Sequence, residues 1–299
     1  LLRNCLSSIY NLTCGIEFEV FVVDNASSDG SQEMIKKEFP QVYFIENKEN
    51  LGFARANNQA FKLARGRYLL LLNPDTKLID NALKQMVDFM DNHPHIDAIG
   101  CKLLYPDGSL QKSCRHFPSV FTDLAETFYL SALFPKSPIF NYYLMGSWAH
   151  DSLREVDQPY GACLLFKEEI VKKVGLMDER FFMYYDEVDL CYRIKKTGGK
   201  IFFVPQIKII HYANQSSNQV PLEAERWKYR SRLLFFEKHY GKISVIILTF
   251  NLIIKTVITL GIFPLSNLIF NYPRDISYFK RSLKLMWQEY YLFFRRHKK

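Results

Sequence analysis

The six cysteines of this 299-residue chain (Cys5, Cys14, Cys101, Cys114, Cys163 and Cys191) include no CxxC pair and no zinc-like spacing. Neither a zinc module nor a disulfide framework therefore organises it. Several lie in apolar runs, where a free thiol packs as a small hydrophobe, and unpaired thiols fit a reducing, intracellular setting. Internal repeats and low-complexity stretches are absent. So is a Gly-rich, basic phosphate loop near the N-terminus, which a nucleotidyltransferase would want. No Ser-His-Asp pairing is visible, which disfavours a hydrolase. No signal peptide opens the chain, but it begins Leu1-Leu2 without an initiator Met, so that absence carries little weight.

Acidic residues are scarce in one place. From Gly241 to Lys299 ten Lys and Arg face only Asp275 and Glu289, a net charge of +8, while residues 1–240 hold 29 basic and 29 acidic residues. The body has no excess of cationic charge for nucleic acid. A basic segment interleaved with Ile, Leu, Phe, Tyr and Trp suits an anionic membrane surface. With 48% hydrophobic and 15% aromatic residues there is enough apolar material for a core.

Short β-rich runs alternate with helical patterns over the first 240 residues. Strands are predicted at Phe18–Val23, Val42–Glu46, Tyr68–Asn73, Ile96–Leu104, Ala162–Phe166 and Lys200–Val204. Between them Asp80 can cap a helix whose Leu83, Met86, Val87 and Met90 share a face, stopped by Pro94. The alternation implies an α/β fold with a mostly parallel sheet flanked by helices, and ligands bound at the carboxyl ends of strands. Leu2–Tyr10 reads as a helix with no strand before it. A parallel unit normally starts with a strand, so a fragment lacking one is expected.

Five polar clusters fall at such strand ends. Val22–Ser31 delivers Asn25 together with Asp24 and Asp29, and the two carboxylates can accept from a base N–H or ribose hydroxyls or simply cap the next helix. Asn50–Asn58 offers Asn50, Gly52, which permits close backbone approach, and Arg55, which can meet phosphate. Leu71–Thr76 brings Asn73 and Asp75 to the sheet edge, where a carboxylate can bind a divalent cation or merely form a turn after Pro74. In Phe181–Arg193, Asp186, Glu187 and Asp189 follow an aromatic patch and open a helix. Capping accounts for one of them, and a carboxylate in a partly apolar setting is a plausible general base. His211 ends an apolar strand and can complete a metal site with Asp75.

In this order, the segments VVDNASSDGS, NLGFARANN, LLNPDT and FFMYYDEVDLCYR resemble family 2 glycosyltransferases of GT-A fold, in the rhamnosyltransferase-like branch that builds bacterial surface polysaccharides. The resemblance covers residues 1 to 240. It implies inverting transfer from a nucleotide diphosphate sugar, a dTDP-rhamnose or UDP-sugar donor, to a glycan or lipid-linked glycan acceptor. Asp24 would hold the nucleobase or ribose, with Asn25, Asp29 and the Asn50–Arg55 loop on the same donor side. Asp75 would be the second acid of the family's DxD motif and bind Mg²⁺ or Mn²⁺, with His211 a second metal or diphosphate ligand. Asn73 stands at the motif's first acidic position, one carboxylate fewer. Glu187 would be the catalytic base, with Asp186 the alternative. Tyr160, Gly161 and Ala162 resemble the acceptor-side loop, near which Asp189 would be structural. A catalytically degenerate, transferase-like membrane assembly partner is the competing reading.

Residues 241–299 form a separate membrane-associating segment. Ile243–Ile254, Thr256–Phe263 and Leu265–Phe270 are apolar, interrupted by Lys255 and Pro264, and Arg274–Lys299 is a basic, aromatic helix candidate. The whole is long enough to span a bilayer, which takes about 20 residues, but its interruptions favour two short helices, broken at Pro264, lying on the cytoplasmic face of a bacterial membrane.

Overall fold

This computed structural model describes residues 1–213, 220–269 and 276–296, with side chains left out at 259–269, 276–280, 282, 283 and 296. In chain order the elements are α1 (Leu2–Leu12), β1 (Phe21–Asn25), α2 (Ser31–Glu38), β2 (Tyr43–Asn47), α3 (Phe53–Leu63), β3 (Tyr68–Leu72), β4 (Thr76–Leu78), α4 (Ala82–Asn92), β5 (Ala98–Leu104), β6 (Leu110–Gln111) and β7 (Cys114–Arg115). Then come α5 (Val120–Thr127), α6 (Leu130–Leu133), β8 (Arg154–Glu155), β9 (Gln158–Pro159), β10 (Cys163–Lys167), α7 (Glu168–Val174), α8 (Asp186–Lys196), β11 (Ile201–His211), α9 (Pro221–Tyr240), α10 (Lys242–Ile269) and α11 (Ile276–Arg296).

The chain divides into two compact units. One holds Leu1–Arg115, Trp148–Phe182 and the stretch from Asp186 through β11; the other holds His116–Ser147, Met183–Tyr185 and the C-terminal helices.

In the first unit the α/β class is as expected, and the strand pairing within it is mixed. The main sheet runs β3-β10-β5-β11-β4, with β6 beside β5 and β8 beside β11. β5 and β11 are parallel, β10 is antiparallel to both β3 and β5, and β4 is antiparallel to β11. β1 and β2 form their own parallel pair. Among the described residues β1 pairs only with β2, and β3 only with β10. Apolar faces seal this unit: Cys5, Leu6 and Ile9 of α1 and Leu83, Met86 and Met90 of α4 join Leu78, Ile99, Leu103 and Ile209 of the sheet. All six cysteines are free, and five are buried as small hydrophobes.

Two local expectations are corrected. Asn81, not Asp80, occupies the N-cap of α4; its amide is turned to the Cys14 carbonyl at 3.0 Å and so does not cap. The last strand continues well past Val204 to His211, absorbing Pro205 in an irregularity between Val204 and Lys208 where no ladder N–H is needed.

In the second unit Ser119 and Thr122 close a reciprocal capping box at the start of α5. The unit's interior is polar at its joint. Asp123 is buried and pairs with Arg232 of α9, while Asn251 of α10 donates to its other oxygen at 2.8 Å. Arg226 of α9 donates to Glu289 of α11 at 2.6 Å. α10 runs unbroken through position 264, where the sequence suggested a break; one missing N–H does not end a helix whose other turns remain bonded. Phe270, Arg274 and positions 297–299 of the expected tail elements lie outside the described residues. Among the described residues no helix is long and apolar enough to cross a membrane.

Removing one partner of a buried ion pair strands the other charge. Asp123→Ala is therefore expected to lower stability by about 3 kcal/mol, more than Asp123→Asn, in urea unfolding. Equal midpoints for wild type and Asp123→Ala would show that the joint contributes nothing.

Candidate active site

At the carboxyl ends of β1 and β2, Asp24 and Asn25 stand beside Glu46 and Asn47 in parallel register. Ala26 adopts a left-handed φ of 61°, turning the chain so that Ser27 N–H reaches Asp24 Oδ2 at 3.0 Å. Gln32 Nε2 donates to the same oxygen at 2.6 Å. Burial pushes the Asp24 carboxyl up, but the hydrogen bonds from Ser27 and Gln32 outweigh it and hold the group below its usual range. Asp24 is thus a buried, ionised acceptor.

Asn25 and Asn47 fasten the next loop. Asn47 donates to Asn25 Oδ1 at 3.0 Å, and Asn25 donates to the Gly52 carbonyl at 3.2 Å. Asn50 Oδ1 accepts from Gly52 N–H at 3.0 Å. Gly52 has φ +83°, and a Cβ there would collide with the Phe182 carbonyl oxygen. That oxygen accepts from Phe53 N–H at 2.7 Å, so the Asn50–Phe53 turn lies directly on the backbone leading to the acidic triplet.

β4 and β11 pair antiparallel with His211 opposite Thr76. This sets Asp75 Oδ1 and His211 Nε2 3.3 Å apart. Gln111 Oε1 lies 2.6 Å from His211 Nδ1, so that nitrogen carries the hydrogen it donates and Nε2 is directed at the carboxylate. Among the described residues no three His, Cys, Asp or Glu side chains form a ready metal cage. Asp75 and His211 bring one carboxylate oxygen and one imidazole nitrogen within 3.3 Å of each other. The Asn73 N–H donates to the Ala162 carbonyl at 3.0 Å, and the Asn73 carbonyl accepts from the Thr76 hydroxyl at 2.7 Å.

The Tyr160-Gly161-Ala162 turn thereby reaches the end of β3. Tyr160 Oη accepts from Arg115, whose guanidinium lies 5.2 Å from the ring centroid. A Cβ on Gly161 would sit 3.4 Å from Glu187 Cβ and Cγ, so the glycine seats the Glu187 side chain against this turn. Tyr184 and Tyr185, at φ 66° and 63°, precede α8; two bulky residues in the left-handed region cost backbone strain of order 1–3 kcal/mol each. Asp186 is buried, with Oδ1 accepting from Glu187 N–H at 2.9 Å and Oδ2 lacking any hydrogen-bond partner. Burial first, and the Glu187 charge second, push its carboxyl well above the usual range.

Asp29, Arg55 and Asp189 are engaged in other tasks. Asp29 accepts from Ser31 N–H at 3.1 Å at the start of α2. Arg55 is exposed and pairs with Glu179 at 3.8 Å. Asp189 is fully buried and pairs with Arg193 at 2.8 Å, and that guanidinium also binds the carbonyls of Val174, Gly175 and Leu176 at the end of α7.

Two supporting residues escaped the sequence reading. Asn58, buried in α3, donates to the Met177 carbonyl at 2.8 Å and accepts from Met177 N–H at 3.0 Å, fixing the segment that leads to Phe182. An Asn inside an Ala-containing helix is a poor helix former, which was a usable hint. Gln111 had no signal, since a lone Gln in a loop predicts nothing.

Comparison with known proteins agrees with this arrangement. Residues 1–147 match the family model described as glycosyl transferase family 2. An N-acetylglucosaminyl-diphospho-decaprenol L-rhamnosyltransferase of Mycobacterium tuberculosis is 27% identical over 234 residues, covering 74% of this chain and 76% of that protein. The rhamnosyltransferase WbbL of Escherichia coli is 26% identical over 198 residues, covering 66% and 71%. A mannosyltransferase of Pyrobaculum calidifontis, solved with GDP-Man and Mn²⁺, shares the fold at a TM-score of 0.55 and 14% identity over 97% of this chain and 82% of its own. Motif order, sheet and relatives converge: the chain is a glycosyltransferase of GT-A fold, similar over residues 1–147 to glycosyl transferase family 2 and to rhamnosyltransferases among its relatives.

Proposed function

We propose that this enzyme transfers, with inversion, a sugar from a nucleotide diphosphate donor, dTDP-rhamnose or a UDP-sugar, to a lipid-linked glycan in cell-surface polysaccharide synthesis. It would work on the cytoplasmic face of a bacterial membrane, held there through residues 241–299. The observation that carries the reading is a set of contacts that ties the polar clusters together pairwise: Asn25 to Gly52, Phe53 to Phe182 just before the triplet, Gly161 beside Glu187, Ala162 to Asn73, and Asp75 to His211. The M. tuberculosis relative, named for an L-rhamnosyl transfer to a diphospho-decaprenol acceptor, favours a rhamnosyl donor and a lipid-linked acceptor.

Inversion needs one base for the acceptor hydroxyl and positive charge for the leaving diphosphate. Glu187, set against the acceptor-side turn, takes the hydroxyl proton as that oxygen attacks the anomeric carbon. Asp186, buried with its carboxyl pushed well above the usual range, positions the start of α8. Asp24 and Asn25 accept and donate at the nucleoside end. Asp75 and His211 would hold a divalent cation, Mg²⁺ or Mn²⁺, beside the donor diphosphate. When bound, it supplies charge neutralisation at the leaving group. Gln111 fixes the ring that offers Nε2.

The test is nucleotide diphosphate release from a panel of nucleotide sugars with Mg²⁺ or Mn²⁺ and a lipid-diphosphate glycan. Glu187→Gln is expected to lower kcat by roughly 10²–10⁴-fold with little change in KM. Folded protein that releases nothing from any donor would instead favour the inactive assembly partner. Gln111→Leu is expected to weaken Mn²⁺ binding by roughly 10–100-fold in calorimetry, a readout independent of turnover. Unchanged Mn²⁺ affinity would remove Gln111 and His211 from the site.

The raised Asp186 carboxyl also sets a pH dependence. Above its ordinary value of 3.8 the folded chain keeps a proton that the unfolded chain releases, so this group's contribution to stability falls as pH rises. Asp186→Asn should be increasingly stabilising relative to wild type from pH 5 to pH 8 in urea unfolding. A difference independent of pH would mean that Asp186 is ionised in the fold.

A further inference from the structure

The second unit buries several polar groups beside its apolar interior and leaves a run of large apolar side chains exposed. In the 116–147 insertion Asp123 and Thr127 are buried at 5% and 3% exposure, whereas Phe128, Leu133, Phe134 and Ile139 are 44%, 56%, 50% and 61% exposed. In α10, Ser244 and Asn251 are buried, whereas Phe250 and Val257 are 61% and 65% exposed. Isolated exposed hydrophobes are ordinary, but buried polar groups opposite a run of large exposed apolar ones are not. The insertion is ordered by its own polar contacts: Ser137 Oγ accepts from Phe140 N–H at 3.1 Å, and Asn141 donates to the Pro135 carbonyl at 2.6 Å. The Asn251–Asp123 bond joins α10 to α5, so both apolar runs belong to one rigid assembly of helices.

Charge identifies what covers them. The unit, taken to Lys299, carries sixteen Lys and Arg against seven Asp and Glu, net +9, and the rest of the chain is net −1. A second copy of the same +9 surface would be repelled. An anionic bilayer would be attracted, and its interface takes up Phe, Leu and Ile side chains.

We infer that the 116–147 insertion is a membrane-docking element in its own right, inserting Phe128, Leu133, Phe134 and Ile139 into an anionic lipid surface alongside the exposed face of α10. The inference rests on the membrane reading of residues 241–299 and extends it to a segment distant in the sequence.

The experiment is co-sedimentation of the full chain with phosphatidylglycerol-containing vesicles and with phosphatidylcholine vesicles. Wild type is compared with a triple Phe128→Ser, Leu133→Ser, Phe134→Ser variant and a double Phe250→Ser, Val257→Ser variant. Wild type should prefer the anionic vesicles, and each variant should lose tenfold or more in partition coefficient with its thermal midpoint retained. A separate Leu133→Trp variant should show fluorescence quenching by brominated lipid beyond that of wild type, which keeps the inference testable if the triple variant does not fold. Binding by the triple variant equal to wild type, with the double variant impaired, overturns the insertion's role and leaves the tail reading standing. No binding of wild type to either vesicle overturns the membrane reading itself. Concentration-dependent dimers in the absence of lipid, lost in the triple variant, would identify the face as an interface between copies and overturn the inference.

Discussion

The direction of β10 governs the site. Because β10 runs antiparallel between β3 and β5, with Cys163 opposite Leu72, its N-terminal end lies beside the C-terminal end of β3. The turn before β10 then meets the turn after β3, and Asn73 N–H closes on the Ala162 carbonyl. A parallel β10 would have carried Tyr160, Gly161 and Ala162 to the opposite end of the sheet. The same logic acts once more at β4, whose antiparallel pairing with β11 sets Asp75 against His211. Two reversed strands thus bring together residues that lie far apart along the chain.

Within this frame the carboxylates differ in how far hydrogen bonds offset their burial. Asp24 and Asp186 are both shielded from solvent, at 6% and 2% exposure. Asp24 receives donors from Ser27 and Gln32 and stays ionised. Asp186 has, among the described residues, one oxygen with no partner, and a carboxylate as its neighbour, and its carboxyl is pushed well above the usual range. A base must be able to accept a proton, so the environment that disfavours charge on Asp186 leaves that task to Glu187.

The sequence made legible whatever depends on local pattern. Strand runs such as Tyr68–Leu72, the helical face of Leu83, Met86 and Met90, and the placing of polar clusters at strand ends follow from periodicity and turn chemistry. The direction in which β10 and β4 pair did not, because β/α alternation argues for parallel strands and cannot register a reversal. The support around the site was equally hidden. Gln111 gains its meaning only from His211, a hundred residues away. Asn58 gains its meaning from Met177, more than a hundred residues on. The partners that Asp29 and Arg55 take in the fold, Ser31 N–H and Glu179, were likewise not given by the motif.

The second unit adds a polar joint to an otherwise apolar helical interior. Helices ordinarily associate by burying an apolar stripe, which consumes their hydrophobic side chains. Here part of the joint between α5, α9 and α10 is a carboxylate, a guanidinium and an amide, fully engaged with one another. Such a buried pair stabilises weakly in net terms, since desolvation offsets much of its attraction, but it is specific, because any other packing would strand a charge. Burial indeed disfavours the Arg232 charge, so Asp123 must stay in place to hold it.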